Sequence, residues 1–187
     1  MRSLIVLNWC HGSARPFSPV FCPDVHKVGQ QIKRCAHLFD RTFIFNDCHS
    51  DIDLEFNYLP PHMVEGSPDR QPLDINSFKR PYLTRKLSLS PFTSEHNKRI
   101  VLREMPDETV VAGFNGLTDI IPTCIDLIHL VPKILVAEQC FGDLSILHKQ
   151  RAVEYLRFLG IPIIKGEVND KSFGVFQESP DAARGVS

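Results

Sequence analysis

The feature that most constrains this chain is its alternation of short apolar runs with segments of helical periodicity. Residues 3–8 form an apolar run that reads as a buried strand, and residues 42–46 form a second one, β-branched and aromatic. Between them, residues 25–39 place Val28, Ile32, Cys35, Leu38 and Phe39 at helical spacing. The pattern continues with a helix at 94–105 (Ser94 a candidate N-cap) and a strand at 108–113. A helix at 119–130, a strand at 133–137, a helix at 145–159 stopped by Gly160, and a strand at 161–164 follow. Strands alternating with helices require right-handed crossovers, so the expected fold is a three-layer α/β/α domain on a mostly parallel, doubly wound sheet. The domain is expected over residues 1–168, followed by a polar C-terminal tail at 169–187. Residues 47–81 read as one long connection rich in Pro, Asp and Asn, and connections of that length are usually functional or disordered.

Charge and composition exclude several classes of partner. With 21 basic and 22 acidic side chains the formal net charge is −1, and no block of like charge stands out, so no nucleic acid or anionic membrane is expected as a partner. No apolar run approaches the roughly 20 residues that span a bilayer. The apolar start lacks a small-residue cleavage site and reads as a strand, so a cytoplasmic location is expected. The six cysteines (Cys10, Cys22, Cys35, Cys48, Cys124 and Cys140) form no C-x-x-C pair and are expected as free thiols.

In parallel sheets of this kind ligands bind at the carboxyl ends of the strands. Asn8, Asp47 and Gly113 fall at such ends. Asp47-Cys48-His49 follows the second strand, where an alternating D-x-H can aim both side chains at one point, and Pro60-Pro61-His62 comes soon after. Asp47, His49 and His62 with nearby Glu55 form a candidate N/O ligand set for Zn, Fe or Mn. On spacing alone this is a weak signal, and solvated loop residues are the favoured reading. Cys10, two residues beyond Asn8, points to the same side of an extended segment as Asn8. Trp9 is either a pocket wall or core filler.

A strand ending in D-x-H, followed by Pro61-His62-Met63-Val64-Glu65-Gly66-Ser67-Pro68, resembles the isochorismatase-like hydrolase superfamily and its nicotinamidase branch. Lys86 to Phe92 is similar to that family's K-x-x-x-S-x-F segment, and Val110-Val111-Ala112-Gly113 to the strand before its nucleophile. The likeness runs over residues 1–164. It implies a metal held by Asp47, His49, Glu55 and His62, a catalytic lysine at Lys86 (with Lys79 as rival), a small-molecule substrate and a homo-oligomer. Asn8, Lys86 and Asp119 are the expected catalytic positions, and Trp9, Cys10 and Gly113 the expected substrate contacts.

Two catalytic positions depart from the family pattern of Asp, Lys and Cys. The Asp position is Asn8, whose amide cannot accept a proton at neutral pH. The Cys position falls on Asp119 in the ungapped alignment, or on Ile121 if Thr118-Asp119 is paired with the family's own T-D, and neither is a cysteine. Asp119 also suits a helix N-cap, as does Thr118. Two readings follow. One is a hydrolase cleaving a C–N amide or C–O ether bond in a small metabolite without a thiol, through a relocated acid at Asp119. The other is a retired enzyme kept as a small-ligand binding module or subunit.

Overall fold

A computed structural model describes residues 1–173 of the chain. Its core is one six-stranded sheet of β1 (Arg2–Leu7), β2 (Arg41–Asp47), β3 (Pro81–Lys86), β4 (Glu108–Gly113), β5 (Ile134–Phe141) and β6 (Ile163–Ile164). The strand order is β3-β2-β1-β4-β5-β6 and every pairing is parallel. The chain winds outward in one direction from β1 to β3 and in the other from β4 to β6. The β1/β4 junction is therefore the switch point, where a crevice opens at the strands' carboxyl ends.

Among the described residues, five α-helices connect the strands: α1 (His11–Ala14), α2 (Val25–Cys35), α3 (Glu95–Arg103), α4 (Ile121–Leu127) and α5 (Ile146–Phe158). Alternate residues of each central strand feed two apolar layers, as strand geometry demands. Leu4, Val6, Ile44, Val110 and Ala112 pack with Val28, Ile32 and Cys35 of α2 on one face. Ile5, Leu7, Phe43, Phe45 and Val111 pack with Val101, Cys124, Leu127 and Leu156 of α3, α4 and α5 on the other. Central strands buried on both faces explain why β1 and β4 read as unbroken apolar runs.

Sequence and structure differ at four places. β3, which the sequence pattern did not predict, begins at Pro81, where the segment expected to be an irregular connection ends, and that segment carries 3-10 turns at Leu54–Asn57 and Pro68–Arg70. β3 is an edge strand whose residues alternate between exposed and half-buried until Lys86, so its apolar signal is weak; Pro81 is tolerated as its first residue. α4 begins later than expected, because Gly116–Ile120 forms a π turn in which the amides of Asp119 and Ile120 both reach the Asn115 carbonyl. Ser94 occupies the α3 N-cap position without a side-chain cap bond, whereas Ser145 caps α5 through the His148 amide. Finally, the first part of the expected polar tail docks on the domain. Phe173 is buried edge-on against Phe39 with Arg2 over its ring, and residues 174–187 of that tail lie outside the described residues.

Gly113 ends β4 with φ 122°, and a Cβ there would overlap the backbone of Leu7. This close approach brings the ends of β1 and β4 together and requires glycine.

Candidate active site

The carboxyl ends of β2, β3 and β4 and the loop after β5 enclose a cavity of about 140 Å³. Its walls are largely apolar, from Pro19, Val20, Leu59, Pro60, Leu89 and Leu144. Asp47, Glu55, His62, Ser88, Asn115, Thr118 and Asp119 add the polar groups.

At its base sits a buried cation shared between two carboxylates. Lys86, the last residue of β3, pairs in register with Asp47, the last of β2, and is buried to 1% exposure. Its ammonium donates to Asp47 Oδ1, to Asp119 Oδ1 and, at 3.3 Å, to the Ser88 carbonyl. Thr118 Oγ1 donates to the other Asp119 oxygen at 2.7 Å. Burial pulls the lysine pKa down, but the fields of Asp119 and Asp47 outweigh it and hold the ammonium charged. Asp119 moves the other way. Desolvation is the largest influence; Lys86 opposes it, the nearby Asp47 charge adds to it, and the carboxyl is pushed up to about 6. One cation between two anions leaves the more buried anion under-compensated.

The π turn aims Asp119 at this cluster. Asp119 caps nothing: the turn starts from Asn115 in a left-handed conformation (φ 63°, ψ 68°), which asparagine tolerates. The Leu117 amide is held by buried Asp143 Oδ2 at 3.0 Å, while Asp143 Oδ1 accepts from Leu144 at 2.8 Å. Asp143 thus ties the turn carrying Asp119 to the loop carrying Leu144, a role that local sequence pattern did not reveal.

Beside the cluster, His49, Glu55 and His62 place ligand atoms within 4.8 Å of one another. His62 Nδ1 donates to the Pro60 carbonyl at 2.9 Å, and its Nε2 lies 3.7 Å from Glu55 Oε1. His49 Nδ1 donates to Asp53 Oδ2 at 3.1 Å, and its buried Nε2 has no hydrogen-bond partner among the described residues. An orphaned buried imidazole nitrogen beside a second imidazole and a carboxylate fits a borderline divalent cation. Phe56 packs against both imidazole rings and holds them. Asp53 is a further member of this group that the motif missed: it accepts from the Glu55 amide as well as from His49, and these contacts hold its carboxyl below the ordinary value. Asp47, expected as a ligand, lies outside the His–Glu–His group and is engaged by Lys86 instead.

The other expected positions divide. Lys79 is exposed and 3.8 Å from Asp40, which leaves Lys86 as the lysine of the site. Asn8 is fully buried just beyond β1 (φ 55°); its Oδ1 accepts from the Asp47 amide at 3.1 Å, and its Nδ2 has no hydrogen-bond partner among the described residues. Asn8 thus fixes the backbone of Asp47 from behind the cavity. Trp9, Cys10 and Gly113 do not line it. Trp9 is core filler, stacked on Phe114 and edge-on to Phe78, with its Nε1 donating to the Asp74 carbonyl. Cys10 is buried against Met63 at 3.7 Å, and desolvation pushes its thiol up to about 12. Gly113 serves the β1/β4 approach. All six cysteines are buried, and none lines the cavity.

No family model matches the sequence, and no curated protein matches it by sequence. Solved structures do match it. A pyrazinamidase/nicotinamidase from Streptococcus mutans superposes with a TM-score of 0.77 at 20% identity, covering 88% of this chain and 100% of its own. A pyrazinamidase of Pyrococcus horikoshii in complex with zinc gives 0.77 at 16% identity, over 88% and 99%. An isochorismatase-like hydrolase from Alkaliphilus metalliredigens gives 0.76 at 14%, over 87% and 93%. With its all-parallel sheet in this order and its crevice at the β1/β4 switch point, the chain has the fold of the nicotinamidases and isochorismatase-like hydrolases.

Proposed function

We propose that this protein is a hydrolase acting on a C–N amide or C–O ether bond of a small metabolite, by acid–base chemistry at Asp119 rather than thiol attack. The observation that carries the proposal is the Lys86 ammonium shared by Asp47 and Asp119 at the base of an apolar cavity. A carboxyl near pH 6 is matched to proton transfer close to neutrality. Asp119 delivers or removes the proton at the scissile group. Lys86 stays charged, fixes the orientation of Asp119 and steadies negative charge developing beside it. The apolar walls exclude water and strengthen both effects. His49, Glu55 and His62 would hold a Zn, Fe or Mn ion, which when bound supplies Lewis acidity and a water of lowered pKa. The zinc in the Pyrococcus horikoshii pyrazinamidase supports this reading.

The test is a panel of amide, vinyl ether and imide substrates, with and without added metal, on wild type, Asp119→Asn and Lys86→Ala. Turnover lost in both variants supports the assignment. Full activity in either removes that residue from the mechanism.

A second reading, a retired enzyme that binds a small ligand, draws on one observation. The β1 position carries an amide, Asn8, committed to the Asp47 backbone, and every thiol lies outside the cavity. Ligand binding without turnover across the panel favours it. A homo-oligomer is part of either reading.

A further inference from the structure

Two thiols meet in the apolar layer beneath α2, outside the cavity. Cys35 and Cys140 are 105 residues apart in the chain, yet their sulfurs lie 3.8 Å apart and both side chains are buried. Among the described residues this is the one hydrogen bond between two thiols. The Cys35 thiol donates to the Ile32 carbonyl at 3.3 Å, so the proton between the sulfurs belongs to Cys140 and Cys35 accepts it. That bond holds the Cys35 thiol below its ordinary value and, together with burial, pushes the Cys140 thiol up. Cys124 has no such partner, and burial alone pushes its thiol up. Cys35 is thus the sulfur better able to become a thiolate, with a second thiol already in contact.

The backbone at both positions permits closer approach. Sulfurs in a disulfide sit about 2.0 Å apart, so the pair must close by under about 2 Å. Cys35 is the last residue of α2, where the chain passes into a 3-10 turn at Ala36–Leu38. Cys140 lies in a bulge of β5. Between two register pairs, Val111 with Val136 and Gly113 with Phe141, β4 takes two steps and β5 takes five. Residues 138–140 have no register partner among the described residues of either neighbouring strand, so the ladder does not pin Cys140.

We propose that Cys35 and Cys140 form a redox-modification site, in which a small peroxide converts the pair into a disulfide tying the end of α2 to the β5 bulge. The Cys35 thiolate attacks one peroxide oxygen and the O–O bond breaks. Cys35 becomes a sulfenic acid, and the departing hydroxide takes up the proton that Cys35 released, giving one water. The Cys140 sulfur then attacks the Cys35 sulfur, the S–O bond breaks, and the hydroxyl leaves with the Cys140 proton as a second water. The two thiols together lose two electrons, and the peroxide gains them. Burial of both sulfurs selects a small oxidant over a bulky disulfide. The site is independent of any chemistry in the cavity. Cys22 is the competing partner, because its sulfur fills the space that a side chain at Gly142, two residues beyond Cys140, would take.

The test treats the reduced full chain with hydrogen peroxide, blocks the remaining thiols and maps the protein with trypsin without reduction. Trypsin leaves Cys35 alone in residues 35–41 and Cys140 alone in residues 134–149, so a crosslink between them is read directly. The linked peptide is expected as the main product, with the other cysteines still blocked as free thiols. Because the closed loop spans 105 residues, the thermal midpoint should rise by about 5–10 °C and return on reduction. Cys35→Ala should abolish both the link and the rise. A Cys22–Cys140 link, sulfinic acid at Cys35 without a link, two thiols untouched by peroxide, or a crosslinked protein with no rise in midpoint would each overturn the proposal. The wild-type map and midpoint decide if the variant does not fold.

Discussion

Replacing Lys86 by methionine tests the electrostatic account most directly. The ammonium is 1% exposed and its two carboxylate partners 8% and 4%, so the variant leaves two buried anions without their cation. Breaking a buried pair in this way costs about 3–5 kcal/mol. The loss must also depend on pH. In the wild type the Asp119 carboxyl rises from its ordinary 3.8 to about 6, which corresponds to about 3 kcal/mol. The sign follows from the direction of that rise. A carboxyl raised in the folded state makes the fold most stable below the unfolded value, and that stability is lost as pH climbs through the folded one. Without Lys86, which lowers Asp119, the carboxyl rises further and the loss extends to higher pH. At pH 8 the variant should be less stable by about 3–5 kcal/mol, and at pH 5, where Asp119 takes up its proton, by about 1–2 kcal/mol. With a urea m-value of about 2 kcal/mol/M, the midpoint falls by about 2 M at pH 8 and by under about 1 M at pH 5. Adding Asp47→Leu and Asp119→Leu to Lys86→Met removes the stranded charges and should restore most of the stability. An equal loss at both pH values, or less than about 1 kcal/mol at pH 8, would refute the reasoning.

Three further outcomes are expected. Elemental mass spectrometry of the purified protein should find near-stoichiometric Zn, Fe or Mn, absent from a His49→Ala, His62→Ala double variant; equal metal in both would place the ion elsewhere. Asp143→Ala strips the charged acceptor from two backbone amides, so thermal denaturation should show a loss of about 2–4 kcal/mol. If Asp143 positions Asp119, kcat falls more than KM changes; a kcat equal to wild type would reduce Asp143 to a stabilising role. Gly113→Ala forces a methyl into the Leu7 backbone and should cost more than about 4 kcal/mol, appearing as loss of soluble folded protein; near-wild-type melting would contradict the close approach of β1 and β4.

The sequence was legible where burial is symmetrical and opaque where a residue's role depends on distant chain. β1, β2 and β4 are apolar on both faces, and their order with the helices was enough to foresee the sheet. His49, Glu55 and His62 could be grouped from sequence because residues able to bind a metal are a narrow chemical set, and the fold brings their ligand atoms together. β3 stayed hidden because an edge strand shares its surface with solvent. Trp9 and Cys10 were mistaken for cavity residues because nearness to Asn8 along the chain does not fix which side of the sheet a side chain meets. Asp143 and Asn115 left no local mark. One works through an amide 26 residues away in the chain, and the other is conspicuous only through a bond its buried Oδ1 does not make.

β3 hangs on the sheet by β2 alone, and Lys86 is its last residue. The ammonium to which the proposed chemistry is assigned is also the latch of that edge, and under that proposal the chain cannot give up one without loosening the other. A lineage that ceased to need the reaction would still meet strong selection at positions 47, 86 and 119, because the first replacement strands a buried charge before a second can neutralise it. The three residues form an evolutionary ratchet: whatever function brought them in, stability keeps them, and they can be left only by changing all three together.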